Sequence, residues 1–386
     1  MTAQVGSRLQ RLQSFLQADA GNVALRKDAI REACDTGQWQ IAQELIEAGL
    51  LIGPDDAGLL GHAGFVHLQQ QRYDDAERVL SAALAQGLDT PELHYNLAFA
   101  IFMQRRYEAA LEHLNAPLLP LELPLARLLK ARCLHHLGRR PEAIEACWMF
   151  LVSAPDHAEA HGLLALLLND ESQQESAAEH VQAALTRDPQ QLEALLAHAS
   201  MQFAAHSYDE ARRSFESLVK SHPDCGRGWL GLALVDLNLM RMDAARRSIE
   251  LATKHSPDHL GGWHILGWIH LVSGDVASAQ QAFERALEVD GRFSESHGGL
   301  AIVAAMQGRQ EDARRSIKLA LRLDRDAMSP QYALLLLLQQ EGLAQEAQAV
   351  LDDFLARPAP RSDMSYRDMV EAHQRYLRSR VDPLSS

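Results

Sequence analysis

The sequence predicts an all-α solenoid of stacked helical hairpins, because a residue beat of fixed length runs through it, apolar residues keep helical spacing inside each beat, and a polar turn divides each beat in two. The beat is an alanine, at Ala42, Ala76, Ala110, Ala143, Ala177, Ala211, Ala245, Ala279, Ala313 and Ala347, with every step 34 except one of 33. Pro155, Pro189, Pro223 and Pro257 each follow their alanine by twelve residues. Apolar residues recur at three and four in two blocks around turns such as Gln71-Arg72-Tyr73-Asp74 and Ser273-Gly274-Asp275, so each unit reads as a helical hairpin.

Twelve residues before most of the beats lies a second small residue, as at Gly64, Ala98, Ala131, Ala165, Ala199, Ala233, Gly267 and Ala301. Two small residues face to face let paired helices approach closely, while Leu97, Leu164, Leu232, Leu266 and Leu300 fill the space beside them. The prolines fall between hairpins, where a missing N–H costs least. A stack of this kind needs its terminal units made soluble. Residues 1–22 are expected to form an N-terminal capping helix with Leu9, Leu12, Phe15 and Leu16 on one side. Residues 362–386 are expected to form a C-terminal capping helix and tail, the helix running from Ser365 to Arg380 with Tyr366, Met369, Val370 and Leu377 on one face. Between them, residues 23–361 hold the repeats and leave no room for a catalytic domain.

Composition narrows the function. The 386 residues are 47% hydrophobic and 6% aromatic, and 37 Lys and Arg against 51 Asp and Glu give a net charge of -14. That balance opposes nucleic acid, which needs a basic face. No leader is evident at the start and no apolar run approaches the roughly 18 residues of a membrane span, which points to the cytoplasm and away from membrane insertion. Cys34, Cys133, Cys147 and Cys225 are scattered without a Cys-x-x-Cys pair and read as small core residues. His157 with His161 and His255 with His259 straddle turns between repeats and lack carboxylate or thiolate partners, so no metal site is expected. Phosphate-loop, dinucleotide and nucleophile-elbow motifs are missing, so no cofactor and no enzyme activity are expected. Gly261, Gly262, Gly298 and Gly299 open a way for a ligand backbone or relieve packing against Trp263 and Trp268, the latter being the simpler reading.

The residue pattern resembles the tetratricopeptide repeat (TPR) family. Trp263, Leu266, Gly267, His270, Ala279, Phe283 and Ala286 follow its signature, with Gly291 in place of the proline, and Trp229, Leu232, Ala233, Ala245, Ile249, Ala252 and Pro257 repeat it. The resemblance covers essentially the whole chain, in ten units starting near residues 23, 57, 91, 124, 158, 192, 226, 260, 294 and 328. It implies a right-handed superhelical solenoid whose concave face is built by the first helix of each unit. On the rows that line that face in the family stand Phe65, Tyr95, Phe99, Phe102, Arg132, His135, Phe203, His264 and Trp268, with Leu128, Leu166, Leu234 and Ile302 between them. Asn96 holds the position of the asparagine ladder that grips peptide backbones in one subclass, but alone. The Lys, Asn and Arg set of the carboxylate-clamp subclass is not assembled, since Lys27, Arg31 and Arg227 fall in distant units.

Such a groove is apolar and aromatic, which suits an extended or helical protein segment held by side-chain pockets. The other reading of the same residues is packing between neighbouring helices; it is the expectation for Leu128, Leu166 and Leu234, while Tyr95, Phe99, Phe102 and Trp268 stand evenly between the two. The expected function is a noncatalytic, chaperone-like or adaptor scaffold that binds a protein or peptide segment. The alternative is an accessory or substrate-presenting subunit of a transferase, secretion or polysaccharide-assembly complex, a setting in which similar bacterial TPR chains occur. Self-association through the groove is a further possibility. Pro117, Pro120 and Pro124 in the stretch from Asn115 to Pro124 are expected to end one helix early, either opening the groove beside Phe99 and Phe102 or leaving an accommodated irregularity.

Overall fold

The structure, a computed structural model, describes residues 2–116, 123–357, 365–368 and 371. The described residues hold twenty-one α-helices and no β-strand. They fall into two compact units, Met1–Ala197 and His198–Ser386, divided within one helix. The first unit holds α1 (Thr2–Ala18), α2 (Val23–Asp35), α3 (Trp39–Leu50), α4 (Ala57–Gln69), α5 (Tyr73–Ala85), α6 (Pro91–Met103), α7 (Tyr107–Leu114), α8 (Leu125–His136), α9 (Arg140–Ser153), α10 (Ala158–Asp170) and α11 (Gln174–Arg187). The division lies in α12 (Leu192–Ala204), and the second unit continues with α13 (Tyr208–Ser221), α14 (Gly226–Asn238), α15 (Met242–His255), α16 (Leu260–Val272), α17 (Val276–Val289), α18 (Ser294–Met306), α19 (Gln310–Leu323), α20 (Met328–Gln340) and α21 (Ala344–Ala356). None of these helices is long and apolar enough to cross a membrane.

Each hairpin turns through one left-handed residue. Gly37, Gln71, Arg105, Gly138, Ser172, His206, Met240, Gly274, Gly308 and Gly342 have φ between 57° and 78°. The next N–H then reaches back over the helix end, as from Gln38 to the Ala33 carbonyl at 2.8 Å and from Arg241 to the Asp236 carbonyl at 2.8 Å. That bond satisfies a carbonyl the helix would otherwise leave open and reverses the chain in two residues. Half of these positions are not glycine, although a side chain there crowds its own carbonyl.

The beat alanines are all buried, nine of them completely and Ala347 at 3% exposure. Four residues further along the second helix, Leu80 and Phe283 fill the places left by Gly64 and Gly267 of the first. Leu80 lies over Gly64 so closely that a Cβ on the glycine would clash with it. Phe283, fully buried, is held from both sides: a Cβ would stand 2.5 Å from its ring at Gly267 and 2.6 Å at Gly299. Gly299 therefore makes room for Phe283, while Gly298 abuts Ser329 and Pro330, and Gly261 and Gly262 lie against His259, with Thr253 also beside Gly262. The expectation that these glycines relieve Trp263 and Trp268 is corrected accordingly.

The first helices are fixed at their N-termini by two recurring bonds. Asn22, Asp56, Thr90, His157, Gln191, Cys225 and His259 each accept an N–H from the third residue ahead as N-caps. Cys225 is thus a helix cap and not a core residue, whereas Cys133 and Cys147 are buried as expected. Four residues after the cap, a side chain donates back to the carbonyl six residues earlier. Arg26 bonds Ala20, His161 bonds Pro155, Trp229 bonds Pro223, Trp263 bonds Pro257 and His297 bonds Gly291, over 2.7–2.9 Å. The bond clips each linker to the helix it enters. Ala327 cannot cap α20, and Glu295 of α18 does so from outside, accepting from Met328 N at 2.7 Å and Ser329 N at 2.8 Å.

In α1, Leu9 and Leu16 are buried and Leu12 half-buried, but Phe15 is 58% exposed, so it leaves the apolar side expected for it. Helix α7 is eight residues long against the fourteen of α9, in keeping with an early end before the prolines. Pro124 immediately precedes α8, while Pro117 and Pro120 lie outside the described residues, and with them the question of a widened junction. Of the expected C-terminal capping helix, Tyr366 stacks on Phe354 with centroids 4.8 Å apart, and Met369, Val370 and Leu377 lie outside the described residues.

The left-handed turns give the first prediction. Met240→Gly is expected to raise stability by about 0.5–1 kcal/mol, the steric relief being partly offset by a more flexible unfolded chain. Thermal melts of Met240→Gly beside Met240→Ala check it, and a glycine variant no more stable than the alanine variant would refute the claim of strain.

Candidate functional site

All ten residues expected to contact a partner lie on the first helices of hairpins. Phe65 is on α4; Tyr95, Asn96, Phe99 and Phe102 on α6; Arg132 and His135 on α8; Phe203 on α12; His264 and Trp268 on α16. Every one is half-buried, which suits residues with one side on the core and one side free. Leu128, Leu166 and Ile302 are buried at 4%, 2% and 1% exposure and belong to the core, as expected for the two leucines and contrary to the expectation for Ile302.

In the first unit the polar centre of this face is Arg132. Its guanidinium donates to Glu159 Oε1 from Nη2 at 2.6 Å and to Glu193 Oε1 from Nη1 at 2.8 Å, so it ties together α8, α10 and α12. Burial raises the Tyr95 phenol above its usual range, and the nearby Glu159 carboxylate adds to the rise. Arg132 is therefore occupied by its own chain, and no free cation is left there to clamp a terminal carboxylate. Lys27 and Arg31 are likewise paired, with Asp56 at 2.7 Å and Asp28 at 3.6 Å.

The aromatic residues divide into local groups. Phe102 leans on Tyr107 at 5.6 Å and on His136 at 5.8 Å, and the Tyr107 and His136 rings stack at 4.5 Å. Phe65 instead meets Trp39 edge-on at 6.2 Å. His135 turns to Asp170, 3.8 Å away. Among the described residues these ring contacts fall into separate local groups, and Tyr95 lies under the charges of both Arg132 and Glu159.

In the second unit Phe203 packs on Tyr208 at 5.7 Å. Trp268 donates its Nε1–H to His264 Nε2 at 3.1 Å. Since a tryptophan can only donate, the His264 proton sits on Nδ1, which faces Ser296 Oγ at 3.4 Å. His264 also lies among Phe283 and Phe293, and burial lowers its pKa. It acts as an internal support. Trp268 itself faces a cleft of about 210 Å³ lined with Tyr332, Leu335, Leu351, Phe354 and Leu355, and its ring stands 5.9 Å from Tyr332.

Two histidine pairs escaped the reading of the sequence. His161 and His180 bring their Nδ1 atoms to 2.9 Å, and His94 and His113 theirs to 3.3 Å, each pair 19 residues apart in the chain. The Pro155 carbonyl accepts from His161 Nε2, so neutral His161 offers a bare Nδ1 and His180 donates to it. Burial, aided by His161, pushes the His180 pKa down to about 4. A 19-residue spacing that links the first helix of one hairpin to the second is the signal that would have found both pairs. Among the described residues no group of three or more His, Cys, Asp and Glu could hold a metal ion.

Two predictions follow from this geometry. Arg132→Ala leaves Glu193 half-buried without its cation, and a loss of about 1–3 kcal/mol is expected, part of it recovered by adding Glu193→Gln; urea denaturation checks both. A His180 depressed in the folded state means that the unfolded chain binds more protons below its ordinary 6.5, so stability should fall as pH drops from 6.5 towards 4. His180→Phe should flatten the fall of the urea midpoint across that window, and an unchanged slope would refute the assignment.

Comparison with known proteins agrees with this architecture. A family model described as tetratricopeptide repeat matches residues 63–120, 150–191, 196–259 and 266–327. No curated protein matches the chain. The human IFIT1 dimer solved with PPP-AAAA shares the fold at 17% identity and a TM-score of 0.56, over 86% of this chain and 85% of that one. The APC/C hetero-tetramer Cut9-Hcn1 does so at 16% identity and a TM-score of 0.57, over 91% of this chain and 77% of that one. With the family model covering more than half of its length, on helical hairpins built as that family builds them, the chain belongs to the tetratricopeptide repeat family.

Proposed function

We propose that this protein is a noncatalytic interaction scaffold that holds an apolar segment of a partner protein against the first helices of its hairpins. The cleft beside Trp268 carries the reading. It is apolar, about 210 Å³ in volume, and walled by Trp268, Tyr332 and Phe354, the kind of pocket that receives one large apolar anchor of a bound segment. The hydrogen bond to His264 holds the Trp268 ring in place before any partner arrives, which lowers the entropy lost on binding. In the first unit Tyr95, Asn96, Phe99 and Phe102 supply half-buried side chains on one helix for the same use.

A protein partner suits this chain better than the RNA held by IFIT1. The net charge is -14, and the one guanidinium central to the first-unit face is already bonded to Glu159 and Glu193. Cut9 forms its complex with Hcn1, a protein.

The test is capture from native lysate with mass spectrometry, comparing wild type, Trp268→Ala, and Tyr95→Ala/Phe99→Ala/Phe102→Ala at equal helicity. A partner retained by wild type and reduced at least tenfold by Trp268→Ala supports the cleft as the anchor. Equal capture by all three proteins would move the binding surface away from the first helices and overturn the proposal.

A further inference from the structure

A second surface lies on another side of α20, in the groove between α19 and α20. Helix α20 is drawn tightly against α18: a Cβ on Gly298 would stand 2.6 Å from the Ser329 Cβ, and Glu295 of α18 caps the α20 N-terminus. The side of α20 towards α19 is left open as a groove of about 650 Å³. Its floor is apolar, made by Ile317 and Leu321 of α19 with Leu334 and Leu338 of α20. Its rim is basic. Lys318, Arg322 and Arg325 all line it and are exposed, and none of their side chains has a carboxylate partner among the described residues. Arg314, at one end, is bonded to Glu341, the single acidic residue of the lining.

Three cations without a carboxylate partner thus stand over an apolar floor, on a chain of net charge -14. Lys318 and Arg322 are four residues apart on α19, so they stand one above the other on the same wall. We propose that this groove docks an acidic amphipathic helix of a partner protein, whose leucine-like side chains enter between α19 and α20 and whose Asp or Glu residues, one turn apart, meet Lys318 and Arg322. An apolar helix face seated in a groove supplies affinity, and the charge pairs supply register and partner choice. The chain's own end is a poor occupant: residues 358–386 carry five arginines against four acidic residues and would bring like charge to the rim. The groove meets the Trp268 cleft only at Gln331, which lines both, and the proposal does not depend on that cleft binding anything.

Selection from a displayed library of helical peptides tests the proposal, using the full chain as bait, with apolar residues fixed at i, i+3 and i+7 and every other position randomised. Recovered peptides should be enriched in Asp and Glu, and should bind Lys318→Glu/Arg322→Glu at least tenfold more weakly than wild type. Arg247→Glu/Lys254→Glu, a double reversal on α15, should leave them unchanged, and raising the salt should weaken wild-type binding because exposed charges are screened beyond a Debye length of about 8 Å at physiological ionic strength. Peptides without acidic enrichment, or an affinity untouched by the α19 reversal, would overturn it. So would a groove that takes up dodecanoate, with the α19 reversal abolishing uptake, while no peptide is recovered.

Discussion

The constraint on which the structure depends is the close approach of two helices at a buried small residue. An alanine at each beat, in most repeats with glycine or alanine opposite, lets the backbones come together, and Leu80 and Phe283 fill the space beside Gly64 and Gly267. This locks the rotation of the first helix about its own axis. Once Gly267 of α16 must meet Phe283, the face of that helix carrying Trp268 has no choice of direction. The direction of these side chains is therefore a by-product of core geometry.

The linkers are set by a second, polar constraint. A capping side chain at one position and a back-donating side chain four residues later hold the entering chain to the helix, whichever residue types supply the atoms. Asn, Asp, Thr, His, Gln and Cys all serve as the cap, and Arg, His and Trp all serve as the back-donor. What is repeated is an acceptor at one place and a donor at another. Chemistry repeats here more faithfully than sequence does.

That difference explains how much was legible in advance. The hairpins could be read because small residues at Ala76 or Ala279 have few substitutes where two backbones nearly touch, so the beat survives as letters. The turns were only half visible: Gly274 and Gly308 announce a left-handed residue, but Gln71, Arg105 and Met240 take the same conformation without doing so, because the N–H to carbonyl closure behind them offsets the steric cost. The expected contact residues all fall on first helices, yet their grouping was hidden. Glu159 and Glu193 are 34 residues apart and become neighbours of Arg132 only through the stacking of three first helices. His161 and His180 lie on different helices of one hairpin, as His94 and His113 do, and meet only through its folding. Phe15 failed for a simpler reason, that a terminal helix is covered on one narrow side, which Leu9 and Leu16 already fill.

The fates of three of the five indoles show how internal bonds decide what a surface can offer. Trp229 and Trp263 spend their single N–H on the carbonyls of Pro223 and Pro257, and in doing so become part of the linker clip. Trp268 also spends its N–H internally, on His264, but the bond lies along its own helix and leaves the ring against the apolar cleft shared with Tyr332. An indole whose polar atom is satisfied inside the protein presents an apolar wall with nothing left to desolvate, so an incoming aliphatic or aromatic side chain gains contact without stranding a donor. His264 is suited to this role because burial keeps it neutral: a charged imidazole would place a second N–H against the indole donor and turn the Trp268 ring away. His264 thus shapes the cleft without lining it.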